Sequence, residues 1–144
     1  MSTFNTQSLR AGDIEVGDEL KPLDIDITAT AIVAGALATR DYMPMHNDRD
    51  FAQAQGAPDI FFNIFSTNAY ISRFVTDWAG PDAILKNISI RLGVQAVPKQ
   101  QLRYTGTITN KEIQGNECLV EVAIKGSVET GDHATGTVKL TVPA

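Results

Sequence analysis

One stretch of the 144-residue chain constrains its fold more than any other, the run from Ile60 to Asp77. Ile60, Ile64, Ile71 and Val75 fall on one stripe at helical spacing, and Phe61, Phe62, Phe65 and Phe74 widen it. The spacing predicts a helix over about 60–77 whose first turns are apolar on nearly every side. Such a helix must be enclosed by other structure rather than laid on a surface. Trp78-Ala79-Gly80-Pro81 ends it, with Gly and Pro as stop signals.

The enclosing structure follows at once. Ile88, Ile90, Leu92 and Val94 alternate with polar or small residues, as do Leu102, Tyr104 and Ile108. The same period recurs in Cys118, Val120, Val122 and Ile124, and again in Ala134, Val138, Leu140 and Val142. These are four strands of a sheet with one wet and one dry face. Gln114-Gly115-Asn116 and Thr130-Gly131-Asp132 supply the turns between the last three. Upstream, Leu23 to Thr28 alternates as a strand, and Thr30 to Ala38 reads as a short helix capped by Thr28 or Thr30. An enclosed helix and a sheet with a dry face answer each other. The predicted class is α+β, with an antiparallel sheet wrapped around a long central helix, which is the hotdog plan. Residues 1–12 read as a flexible N-terminus, and 13–144 as one domain.

Composition removes several function classes. No apolar run approaches membrane-spanning length, and the opening residues lack the layout of a signal peptide, so a cytoplasmic protein with no membrane contact is expected. The single Cys118 excludes an internal disulfide and a Cys-rich metal cage, and its place on a dry strand face assigns it to the core. The net charge of −5 and the lack of a basic block argue against nucleic acid. An anionic ligand needs only a few local cations. Arg40, Arg73, Arg91, Lys86 and Lys99 are candidates, each equally well read as solvated surface.

The chemistry is concentrated in residues 39–59, a long polar segment of the kind that carries function. Asp41 precedes His46 by five residues, with Pro44 between them stiffening the chain. A carboxylate and an imidazole held at a set separation can share one water, one group taking its proton and the other orienting it or returning a proton. The pair can also be read plainly, Asp41 as a turn cap and His46 as a satisfied loop histidine. The start of the central helix, near Ile60 to Asn63, offers free N–H groups to a developing oxyanion. An ordinary helix start with Asp59 as cap is the alternative. Asp48 and Asp50 read as acids at a helix N-terminus rather than metal ligands. His133 reads as a turn or surface residue.

Asp41-Tyr42-Met43-Pro44-Met45-His46, followed five residues later by Ala52, resembles the hydratase signature of MaoC-like proteins. That pattern is roughly Gly-Asp-x-Asn-Pro-x-His-x5-Ala. The chain keeps its Asp, Pro, His and Ala and departs at Arg40 and Met43. Ala36 to Asp41, His46 to Asp50, Asp59-Ile60-Phe61, Val75 to Pro81 and Ile90 to Val94 look similar to the small MaoC-like subunit of steroid side-chain enoyl-CoA hydratases. The resemblance implies a hotdog that adds water to an enoyl-CoA, with Asp41 and His46 catalytic. The backbone N–H of Asn63 would hold the thioester oxygen, at a place where the family has glycine. It implies no metal and no cofactor, CoA being part of the substrate. It also implies a homodimer, or a heterotetramer with a second MaoC-like subunit. An acyl-CoA thioesterase, using a carboxylate on the central helix, and a non-catalytic partner subunit are the alternatives.

Overall fold

A computed structural model describes residues 6–144; residues 1–5 of the expected flexible N-terminus lie outside the described residues. Five strands form one antiparallel sheet in the order β1-β3-β4-β5-β2. They are β1 (Leu23–Asp26), β2 (Ile84–Leu92), β3 (Gln101–Gln114), β4 (Glu117–Val128) and β5 (Gly131–Pro143). The period-two reading holds where it was strongest. On β3, Leu102, Tyr104 and Ile108 are buried, and on β4, Cys118, Val120, Val122 and Ile124 are.

The central helix, α3 (Ile64–Ala79), buries Ile71, Phe74 and Val75 in one cluster with that dry face. The Phe74 ring stacks on Tyr104 with centroids 6.1 Å apart. Each side chain of this size buried in full stabilises the fold by about 1.5–3 kcal/mol. Gly80, at φ 91, caps the helix and its N–H bonds the Thr76 carbonyl.

The start of this helix corrects the sequence reading. Residues 60–62 are not helical: the Phe62 N–H bonds the Ala96 carbonyl at 3.1 Å, which holds the segment extended. Ile60 and Phe62 are nonetheless buried. A short apolar run cannot separate buried strand-like chain from buried helix. Asp59 does not cap the helix either. Its carboxylate accepts from Arg49 Nε at 2.8 Å and from the Ile60 N–H at 2.7 Å. Packing also begins before residue 13. Leu9 N–H bonds the Ala79 carbonyl at 2.9 Å, Ser8 Oγ accepts from Asp82 N–H at 2.8 Å, and Ala11 is buried.

Helix α1 (Ala29–Ala38) is capped by Thr28, whose Oγ1 accepts from Ala31 N–H at 3.0 Å. The segment after it contains one 3-10 turn (Pro44–His46) and a short helix, α2 (Arg49–Ala54). Asp48 caps α2 and Asp50 stands in its first turn, the roles expected of them. Among the described residues no helix is long and apolar enough to cross a membrane.

Candidate active site

The position of Asp41 is fixed by the way α1 ends. Arg40 takes a left-handed conformation at φ 56, its N–H bonds the Leu37 carbonyl at 3.1 Å, and the Asp41 N–H bonds the Ala36 carbonyl at 2.9 Å. These two bonds form a Schellman cap, which glycine usually makes. It anchors the backbone of Asp41 to the last turn of α1. The next bonds tighten the loop. Asp41 Oδ1 accepts from Met43 N–H at 3.3 Å, and the His46 N–H bonds the Met43 carbonyl at 3.0 Å across Pro44.

His46 is buried, and its ring meets Phe61 edge-on at 5.0 Å. Its Nδ1 lies 2.7 Å from the Phe61 carbonyl oxygen. A carbonyl only accepts, so Nδ1 carries the proton, and in the neutral ring Nε2 is left as the acceptor. Nε2 faces Asp41 Oδ2 at 3.5 Å, too long for a direct hydrogen bond. The bent loop therefore brings together the two residues that the spacing singled out.

Asn63 joins them from the other side. Its Oδ1 accepts from Ser66 N–H at 2.9 Å and caps α3. Its Nδ2 donates to Asp41 Oδ2 at 3.0 Å and to Thr39 Oγ1 at 2.9 Å. Thr39 spends its own hydroxyl proton on the Gly35 and Ala36 carbonyls, so it must accept from the amide. The backbone N–H of Asn63 bonds no acceptor among the described residues. The Asn63 amide is the largest influence holding the Asp41 carboxyl below the usual carboxylate range. The Met43 N–H and the nearby His46 act in the same direction, against partial burial.

His133 is a correction. It lies on β5, buried, and not in a surface turn. Its Nδ1 donates to the Val94 carbonyl at 2.8 Å, and its Nε2 is 2.9 Å from Thr67 Oγ1 in the first turn of α3. Burial holds it below the ordinary imidazole range. A neutral ring accepts at Nε2 from the Thr67 hydroxyl, which pins the start of α3 to the sheet. His133 thus supports the residues around Asn63 from behind.

The candidate cations separate. Arg73 pairs with Asp77 at 3.3 Å and Lys86 with Glu117 at 3.7 Å, while Arg40, Arg91 and Lys99 are exposed. The only carboxylate on α3 is Asp77, near the end away from Asn63. A thioesterase acid on this helix has no counterpart near Asp41. Sequence reasoning missed Thr39 and the two-sided role of the Asn63 side chain. An Asn directly before the periodic run from Ile64 was the available signal for the cap.

The chain belongs to the MaoC-like hotdog family. It is 42% identical over 127 residues to the 3-oxo-4,17-pregnadiene-20-carboxyl-CoA hydratase beta subunit of Mycobacterium tuberculosis, covering 88% of this chain and 95% of that one. The crystal structure of the ChsH1-ChsH2 complex from the same organism includes a chain matched at TM-score 0.83 and 41% identity, covering 89% of this chain and 98% of that one. The R-hydratase PhaJ1 of Pseudomonas aeruginosa shares the fold at TM-score 0.83 and 19% identity, over 96% of this chain and 88% of its own. No protein-family model matches the chain.

Proposed function

We propose that this chain is the catalytic subunit of an enoyl-CoA hydratase, with Asp41 and His46 acting on one water. The observation that carries this reading is the 3.5 Å approach of Asp41 Oδ2 and His46 Nε2. With the imidazole neutral, both atoms are acceptors. A water between them would donate one hydrogen to each and leave its oxygen lone pairs free to attack. The enoyl thioester carbonyl is received by the Asn63 N–H at the donor end of α3. Asp41 takes a proton as the water oxygen bonds to the β-carbon, and the displaced π electrons move to the thioester oxygen. Once the two side chains close to hydrogen-bond distance, His46 Nε2 receives that proton from Asp41 and delivers it to the α-carbon. The thioester re-forms as a 3-hydroxyacyl-CoA, so the sum is one water added. No step calls for a metal or redox cofactor, and CoA enters and leaves with the substrate.

We further propose that the chain works in a complex with a second MaoC-like subunit on a bulky, steroid side-chain enoyl-CoA. The kinship to a beta subunit and to a chain of a two-component complex supports this. So does the surface around the site: Tyr42, Met43, Ile64 and Phe65 are exposed apolar residues flanking Asp41 and Asn63. β2 is an outer strand paired only with β5, an edge open to augmentation. Such a complex belongs in the cytoplasm.

The test is to incubate the chain, alone and with a second MaoC-like subunit, with short-chain and steroid enoyl-CoAs and to follow hydroxyacyl-CoA by mass. Hydration is expected, with Asp41→Asn reducing it about 10²–10⁴-fold. Full turnover by a folded Asp41→Asn protein would remove Asp41 from the mechanism.

A further inference from the structure

We infer that the Asn63 side chain is a positioning group for the Asp41 carboxylate and ties its orientation to the start of the central helix; this rests on Asp41 acting as the base. The hydrogen-bond network leaves the amide one orientation. Oδ1 must face the Ser66 N–H, because Nδ2 there would oppose a donor. Nδ2 must face Asp41 and Thr39, because Oδ1 there would oppose a carboxylate and a hydroxyl that has already given away its proton. Three elements therefore meet in one planar group: the last turn of α1 through Thr39, the loop through Asp41, and the first turn of α3 through its own cap. Met43, two residues after Asp41, ends in a thioether that cannot donate, so the loop offers the carboxylate only the Met43 backbone N–H.

The consequence is geometric. One oxygen of Asp41 is held by the amide at 3.0 Å and lies 3.5 Å from His46 Nε2, so the clamp sets which lone pair remains for a water. Among the described residues, the titratable group facing this carboxylate is His46, from the 3-10 turn. α1 contributes Thr39 and α3 contributes Asn63, and neither titrates.

The experiment follows the Asp41 carboxyl by NMR titration, with the pH profile of kcat/KM, in wild type, Asn63→Ser and Thr39→Val. Serine is as good a cap as asparagine but too short to cap and reach Asp41 at once. Asn63→Ser is expected to raise the Asp41 pKa, move the acid limb of the profile upward and lower kcat about tenfold, with KM little changed. Thr39→Val leaves the cap untouched and loosens the amide, so it shifts Asp41 in the same direction by less. Should Asn63→Ser not fold, Thr39→Val alone decides. An Asp41 titration unchanged in the folded variants overturns the inference. Absence of hydration in wild type would instead sink the proposed activity and leave the titration result standing.

Discussion

Gly35 sits in the middle of α1, where glycine costs about 1 kcal/mol relative to alanine, and the structure supplies the reason. A Cβ built there falls on Ser66 Oγ, in the first turn of α3. Ser66 Oγ is itself buried and has no hydrogen-bond partner among the described residues. Gly35→Ala therefore sets an overpacking cost of about 1–3 kcal/mol against a helix gain of about 1 kcal/mol, a net loss of about 0–2 kcal/mol. Ser66→Ala removes a buried hydroxyl whose unmet desolvation is of order 1–3 kcal/mol, so it should be neutral or stabilising. In the double variant the new methyl meets only the Cβ of residue 66, at 3.4 Å, and the helix gain is realised. The double variant should then exceed Ser66→Ala by about 1 kcal/mol, giving a favourable coupling of about 1–3 kcal/mol. Urea unfolding of all four proteins measures this directly. Because Asp41 hangs from the end of α1, hydration should fall in Gly35→Ala and recover in the double variant. Strict additivity of the two stabilities would refute the close contact between α1 and α3.

Two further outcomes follow from single residues. Arg40 holds a left-handed conformation that costs a non-glycine residue about 1–2 kcal/mol; Arg40→Gly should recover part of this, less about 0.4–1 kcal/mol for the freer unfolded chain, and appear as an unchanged or higher Tm. His133 is held below the ordinary imidazole range, so below about pH 6.5 the unfolded chain binds a proton that the folded chain refuses. Its contribution to stability is complete above that pH and is lost as pH falls toward its folded value. His133→Gln should flatten the loss in denaturation curves recorded across this range, and a slope unchanged by the substitution would contradict its buried neutral state.

Most of the sheet was legible because three of the four period-two stretches fall on residues that end up buried on β3, β4 and β5. The fourth forms the outer strand β2, where Ile88 and Ile90 are half-buried and Leu92 is exposed, so its expected dry face is not fully covered within this chain. Asp41 and His46 were legible because five residues with a proline between them can be judged locally. What escaped depended on distant partners. Ile60 and Phe62 look helical by hydrophobicity, and only the bond from Phe62 to Ala96 shows that they are extended. Asn63 is 22 residues from the carboxylate it holds, and His133 is 66 from Thr67. Glycine-flanked sequence around His133 suggests a turn, while the sheet carries it under α3. No local pattern contains these contacts, because they exist only once α1 and β5 have been placed against the same helix end.

Hydration run in 18O-labelled water, on the chain with the proposed second MaoC-like subunit and a steroid enoyl-CoA, reads the bond-forming event itself. A water held by Asp41 and His46 predicts one labelled oxygen on the β-carbon of an intact 3-hydroxyacyl-CoA, at a rate that collapses in Asp41→Asn and in His46→Ala. Label appearing instead in a free carboxylic acid, with CoA released, would contradict the account and assign the site to thioester cleavage.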